Sequence, residues 1–66
     1  MHLNINGKEH EFCDGLSISD LVEQLVGQRG PIAVELNRQI VPKAQWRNTS
    51  LQSGDRLEIV HFVGGG

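Results

Sequence analysis

One stretch of this chain has the periodicity of an α-helix, and that stretch limits what the other residues can form. Its apolar residues recur at spacings of three and four, and they therefore share one face of a helix: Ile18, Leu21, Val22, Leu25 and Val26. Ser17 is a typical helix N-cap, and Asp20, three residues later, is the acidic partner of a capping box. Gly27 is the residue type that commonly follows a helix. We predict one amphipathic helix over residues 18–26, whose apolar face must pack against another layer.

The remaining apolar residues mostly alternate with polar ones, which is the period of a half-buried strand. The predicted strands cover residues 2–5, 8–13, 32–36, 39–41 and 56–63. Asn6-Gly7 predicts a tight hairpin between the first two strands, because a type I′ turn needs a positive φ at both positions. Asn37-Arg38 is expected to form a tight turn between the third and fourth. Charged side chains on residues 8–13 favour an edge position for the second strand.

Between the fourth and fifth strands, residues 43–50 have no clear period. We predict a loop with about one helical turn there, in which Trp46 closes one end of the core and Leu51 packs as well. Ser53-Gly54-Asp55 then turns the chain into the last strand.

The order of elements is β-β-α-β-β-β, and only one helix is available to cover the sheet. These elements predict a two-layer α+β domain, a mixed sheet of about five strands packed on one helix. The connection after the first hairpin is long enough for a helix, as a parallel pairing of strands requires. We therefore expect the first and last strands to lie side by side and parallel at the centre of the sheet.

Charge and composition exclude several classes of function. Six basic residues oppose eight acidic ones in the 66-residue chain, for a net charge of −2. No basic surface for nucleic acid or for a membrane is indicated. No apolar run approaches the length of a membrane span, and Met1-His2-Leu3-Asn4 does not begin a signal peptide. We expect a cytoplasmic protein that is monomeric when free.

No residue pattern indicates a catalytic or metal site. Cys13 is the single cysteine, so the chain can form no internal disulfide. We expect its thiol to be buried or half-buried in the second strand. No motif pairs it with a histidine as a nucleophile would require. His2, His10 and His61 lack the spacing of zinc ligands. The prediction is that the chain binds no metal and no cofactor.

The last predicted strand runs directly into Gly64, Gly65 and Gly66, where the sequence ends. We expect residues 1–63 to form the domain, residues 64–66 to form a flexible tail, and Gly66 to carry a free carboxylate. Three residues extend about 10 Å, and glycine has no Cβ to hinder entry into a narrow channel. Such a tail is suited to delivering a carboxylate into the active site of another protein.

Residues 37–46 carry the pattern N-x-x-x-V-P-x-x-x-W, which includes Val41-Pro42 and Trp46. With Ser53-Gly54-Asp55 before the last strand and Gly65-Gly66 at the end, the chain resembles the ThiS family of thiamine-biosynthesis sulfur carriers over its whole length. That resemblance implies the ubiquitin-like β-grasp fold.

The resemblance also implies a mechanism in which other proteins supply the catalysis. An E1-like, ThiF-type enzyme uses ATP to adenylate Gly66, sulfur displaces AMP to leave a thiocarboxylate, and thiazole synthase takes the sulfur to build the thiazole ring. The chain is then a carrier and not an enzyme. A related carrier for molybdopterin synthesis and a ubiquitin-like protein modifier would use the same carboxylate. A protein-binding module without tail chemistry is a further alternative.

Alternation along the last strand predicts a partner surface. If Leu57, Ile59 and Val63 face the helix, the opposite face carries Glu58, Val60 and Phe62. The single helix leaves that face uncovered. We therefore expect Glu58, Val60 and Phe62 to bind a partner, with Val60 and Phe62 as the apolar contacts.

Overall fold

The computed structural model describes residues 1–25 and 31–62. Within them, the elements are β1 (His2–Ile5), β2 (Lys8–Glu11), α1 (Ile18–Leu25), β3 (Ile32–Leu36), β4 (Gln39–Ile40), a 3-10 helix (Lys43–Asn48) and β5 (Arg56–His61). The strands form one sheet in the order β2-β1-β5-β3-β4. β1 and β5 are parallel, with Ile5 opposite Leu57, and the other neighbours are antiparallel. The predicted mixed sheet, with a parallel central pair and β2 at an edge, is confirmed.

A capping box fixes the start of α1. The Ser17 N–H donates to Asp20 Oδ2 at 3.0 Å, and the Asp20 N–H donates to Ser17 Oγ at 3.1 Å. Two N–H groups near the helix start therefore have acceptors, and the first helical residue is Ile18, as predicted. The helix is described as far as Leu25, so the predicted positions of Val26 and Gly27 lie outside the described residues.

Replacing Ser17 with alanine is expected to lower the free energy of unfolding by about 1 kcal/mol, because the Asp20 N–H loses its acceptor. Urea denaturation measures the change. Ser19→Ala, two positions further along, is the control, and we expect its effect to stay within about 0.5 kcal/mol. An equal decrease in the free energy of unfolding in the two variants would contradict a capping role for Ser17.

Both hairpins turn through residues with a positive φ. Asn6 and Gly7 have φ of 51° and 85°, and Asn37 and Arg38 have φ of 50° and 73°. These values confirm the predicted tight turns. Asparagine tolerates the left-handed region better than most residues, which explains its presence at the first position of each turn.

Two strands are shorter than the sequence predicts. β2 ends at Glu11, opposite His2, and not at the predicted Cys13. β4 ends at Ile40 and not at Val41, since Pro42 cannot donate to a ladder and the Val41 carbonyl accepts a bond from Trp46 Nε1 at 2.8 Å. Alternation of apolar and polar residues indicates an extended segment, whereas the length of a strand also depends on the strand that pairs with it.

One apolar core lies between α1 and the sheet. Its buried residues are Leu3, Ile5, Ile18, Leu21, Val22, Val34, Trp46, Leu51, Leu57 and Ile59. The predicted helical turn is the 3-10 helix, and Trp46 within it is 7% exposed and closes the core as expected. Leu25 departs from the prediction. It is 42% exposed and lines an open groove of about 360 Å³ beside the sheet.

Candidate functional site

β5 is the central strand, and it joins the core to the end of the chain. Leu57 and Ile59 are buried at 0% and 8% exposure, as predicted for the face toward α1. Val60 and Phe62 are 52% and 56% exposed, and Glu58 is exposed as well. The alternation of the two faces is thus confirmed for these residues. Val63, the next residue predicted on the inner face, lies outside the described residues.

The strand is held from its β3 side up to its last described residues. Its pairing with β3 runs from Leu57 opposite Leu36 to His61 opposite Ile32. Beyond the strand, the Phe62 N–H donates to the Pro31 carbonyl at 3.0 Å. The position and direction of the backbone are therefore defined as far as Phe62. Residues 64–66, which contain the predicted reactive group, follow two positions later and lie outside the described residues.

On its β1 side, β5 is held by a contact that the sequence analysis missed. The side-chain amide of Asn6 forms two hydrogen bonds with the backbone of Ile59. The Asn37 side chain acts similarly at the start of β5, where its Oδ1 accepts a bond from the Arg56 N–H at 3.0 Å. We interpreted both asparagines only as turn residues. Their shared position at the first residue of a tight turn was the one available signal.

Cys13 is exposed and lies after β2, so the prediction of a buried or half-buried thiol in that strand is wrong. β2 ends at Glu11, two residues before Cys13. The Phe12 carbonyl accepts a bond from the Met1 ammonium group at 2.6 Å, and the chain then turns at Gly15, whose φ is 87°. The same ammonium group lies 3.2 Å from Asp14 Oδ1. An exposed Cys13 must be considered as a competing site for sulfur chemistry.

Residues 1–25 and 31–62 contain no group of three or more His, Cys, Asp or Glu side chains that could hold a metal ion. His10 instead stacks on Phe12, with 6.1 Å between the ring centroids. In the same two ranges, no helix is long and apolar enough to cross a membrane.

A model of the ThiS family matches residues 3–66. The sulfur carrier protein ThiS of Escherichia coli K12 is 30% identical over 66 residues, which is the whole of both chains. ThiS of Bacillus subtilis is 37% identical over 65 residues and 97% of this chain. A crystal structure of ThiS from Geobacter metallireducens superimposes with a TM-score of 0.86 at 32% identity, again over the whole of both chains. The fold is accordingly the ubiquitin-like β-grasp.

Two thiazole synthases also match the chain. The enzyme of Paramagnetospirillum magneticum is 41% identical over 66 residues, and that of Magnetococcus marinus is 33% identical over 66 residues. All of this chain is covered in both comparisons, but it spans only 20% of each enzyme.

Proposed function

Since this chain belongs to the ThiS family, the sulfur carriers of thiamine biosynthesis, we propose that it carries sulfur as a thiocarboxylate on Gly66. The observation behind this proposal is a family match that continues through residue 66. The end-to-end match with E. coli ThiS supports the same assignment, and it favours a thiamine carrier over the related molybdopterin carrier.

The chemistry explains why a carrier of this kind needs a partner enzyme. A terminal carboxyl group has a pKa of about 3.3–3.7, so it is an anion at neutral pH and resists attack by a sulfur nucleophile. A ThiF-type enzyme activates the carboxylate by joining one oxygen of Gly66 to the α-phosphorus of ATP, with loss of pyrophosphate. Sulfur then attacks the acyl carbon, and AMP departs with that oxygen. The ATP belongs to the enzyme, and the carrier acts as a co-substrate.

The exposed face of β5 is our proposed docking surface for the adenylating enzyme. Val60 and Phe62 present two apolar side chains there, and Glu58 lies beside them on the same face. Exposed apolar residues that cluster near a reactive group are typical of a protein-binding site. A surface only two residues before the glycines would orient the whole domain while residues 64–66 enter the active site.

Thiazole synthase is the proposed acceptor of the sulfur. Two thiazole synthases contain a segment similar to the whole of this chain, and this combination in one polypeptide supports a partnership between the two proteins. A carrier that is a separate protein would need a surface that complements the surface of the thiazole synthase. We place this exchange in the cytoplasm, where the single Cys13 is compatible with a reducing environment.

Intact mass spectrometry tests the proposed function. The chain is incubated with a ThiF-type enzyme, ATP and a sulfur donor, and replacement of one carboxylate oxygen by sulfur is expected to raise its mass by about 16 Da. Fragment ions should place the added sulfur on Gly66. With an enzyme persulfide as the sulfur donor, the exposed Cys13 offers a competing outcome, in which its thiolate takes the outer sulfur, the donor leaves as a thiolate, and the new persulfide raises the mass by about 32 Da. Sulfur on Cys13 alone would contradict the carrier mechanism.

A further inference from the structure

The hydrogen bonds of β5 on its β1 side change character at Asn6. Up to that point they are backbone bonds, of which the last joins the Asn6 N–H to the Leu57 carbonyl at 2.9 Å. Beyond it, β1 has turned away toward β2. The next residue of β5 that points its backbone toward β1 is Ile59. Its N–H donates to Asn6 Oδ1 at 2.7 Å, and its carbonyl accepts a bond from Asn6 Nδ2 at 3.2 Å.

The Asn6 side chain therefore supplies Ile59 with the donor and the acceptor that the backbone of a neighbouring strand would otherwise provide. A side-chain amide carries a donor, its NH2 group, and an acceptor, its carbonyl oxygen, and here both are used on the same residue of β5. Without these bonds, among the described residues, the hydrogen bonds that β5 forms beyond Leu57 would come from the β3 side alone. Ile59 is also only three residues before Phe62, the last described residue before the glycines.

We propose that Asn6 is a positioning residue for sulfur transfer, whose side chain holds the end of β5 and so fixes the point from which the glycines extend into the partner's active site. This inference rests on the proposed function. It concerns a residue that lies outside the exposed face of β5.

Asn37 is the matched control within the same chain. It also occupies the first position of a tight turn, its φ of 50° is almost that of Asn6, and its side chain is likewise exposed. It also forms two side-chain hydrogen bonds near β5, to the Arg56 N–H at 3.0 Å and to Asp55 Oδ1 at 3.1 Å. The difference is that these bonds lie at the start of β5, at the opposite end of the strand from Phe62.

The test compares Asn6→Gly with Asn37→Gly, since glycine retains the positive φ and removes only the side chain. We expect similar losses of thermal stability in the two variants. The rate of thiocarboxylate formation at saturating carrier should fall about tenfold for Asn6→Gly, because misplacement of a reacting group is costly. The corresponding change for Asn37→Gly should stay below about twofold. If Asn6→Gly folds poorly, Asn6→Asp is compared with Asn37→Gly instead, since Asp also tolerates a positive φ but cannot donate to the Ile59 carbonyl.

A second measurement does not depend on activity. Hydrogen exchange of the Phe62 N–H, which bonds to Pro31 and not to Asn6, should be about tenfold faster in Asn6→Gly and unchanged in Asn37→Gly. Equal rates of transfer in the two variants, or equal exchange at Phe62, would overturn the proposal. If the wild-type chain is not modified at all, the proposed function fails, and exchange at Phe62 still decides whether Asn6 holds the end of β5.

Discussion

Deleting Gly66 should abolish thiocarboxylate formation while leaving the thermal unfolding of the chain unchanged. The shortened chain still ends in a glycine carboxylate, so the reacting group is retained and only its position changes. Each residue contributes about 3.3–3.6 Å of reach, whereas a displacement of about 1 Å can slow a reaction 100-fold. The core consists of apolar side chains, and a glycine has no side chain to add to it, so we expect stability not to depend on the deletion.

Adding one glycine after Gly66 is the complementary variant. It should also reduce the rate of thiocarboxylate formation by at least about 100-fold, since the carboxylate is then displaced in the opposite direction. Cys13→Ser is the control, because it removes the exposed thiol and leaves residues 64–66 intact. Thiocarboxylate is quantified by intact mass after a fixed incubation with the adenylating enzyme and ATP. A wild-type rate in the deleted chain, or loss of activity in Cys13→Ser, would contradict a reaction centred on Gly66.

The parts of the fold that sequence predicted well are those whose cause is local. Ser17 and Asp20 are three residues apart and form their capping box within one turn of helix. Asn6-Gly7 similarly specifies a turn through the φ values that its own residues tolerate. Alternation along β5 correctly separated buried Leu57 from exposed Val60, because the side-chain period of a strand is a property of its own backbone.

The sequence-based predictions were wrong or incomplete where a residue's structure depends on a remote part of the chain. The extent of β2 depends on its register with β1, so the apolar character of Phe12 and Cys13 did not show that the strand had already ended. The contact between Asn6 and Ile59 joins residues 53 positions apart, and no periodicity encodes it. In the candidate site, the chemistry of Gly66 came from resemblance to a family, whereas the exposed face of β5 followed from the pattern of residues.

The exposed face of β5 leads to the second large expected effect. The double substitution Val60→Ala and Phe62→Ala should weaken binding to the ThiF-type enzyme by about 2 kcal/mol, or about 30-fold in Kd. Large apolar side chains contribute much of the binding energy of an interface when a partner removes them from water, and Phe62 is the larger of the two. The free energy of unfolding should change by less than about 0.5 kcal/mol for each substitution, because both side chains are more than half exposed in the free chain.

Leu25→Ala supplies the matched control for this surface. Leu25 is also a partly exposed apolar residue, at 42%, but it extends from α1 on the other side of the sheet. Its truncation should leave the affinity for the enzyme unchanged and should cost at least as much stability as either substitution on β5, since more of its side chain is buried. Calorimetric titration gives the affinities, and thermal unfolding gives the stabilities. If Leu25→Ala weakens binding while the double variant does not, the partner docks on the helix side of the sheet, and the role assigned to Val60 and Phe62 is wrong.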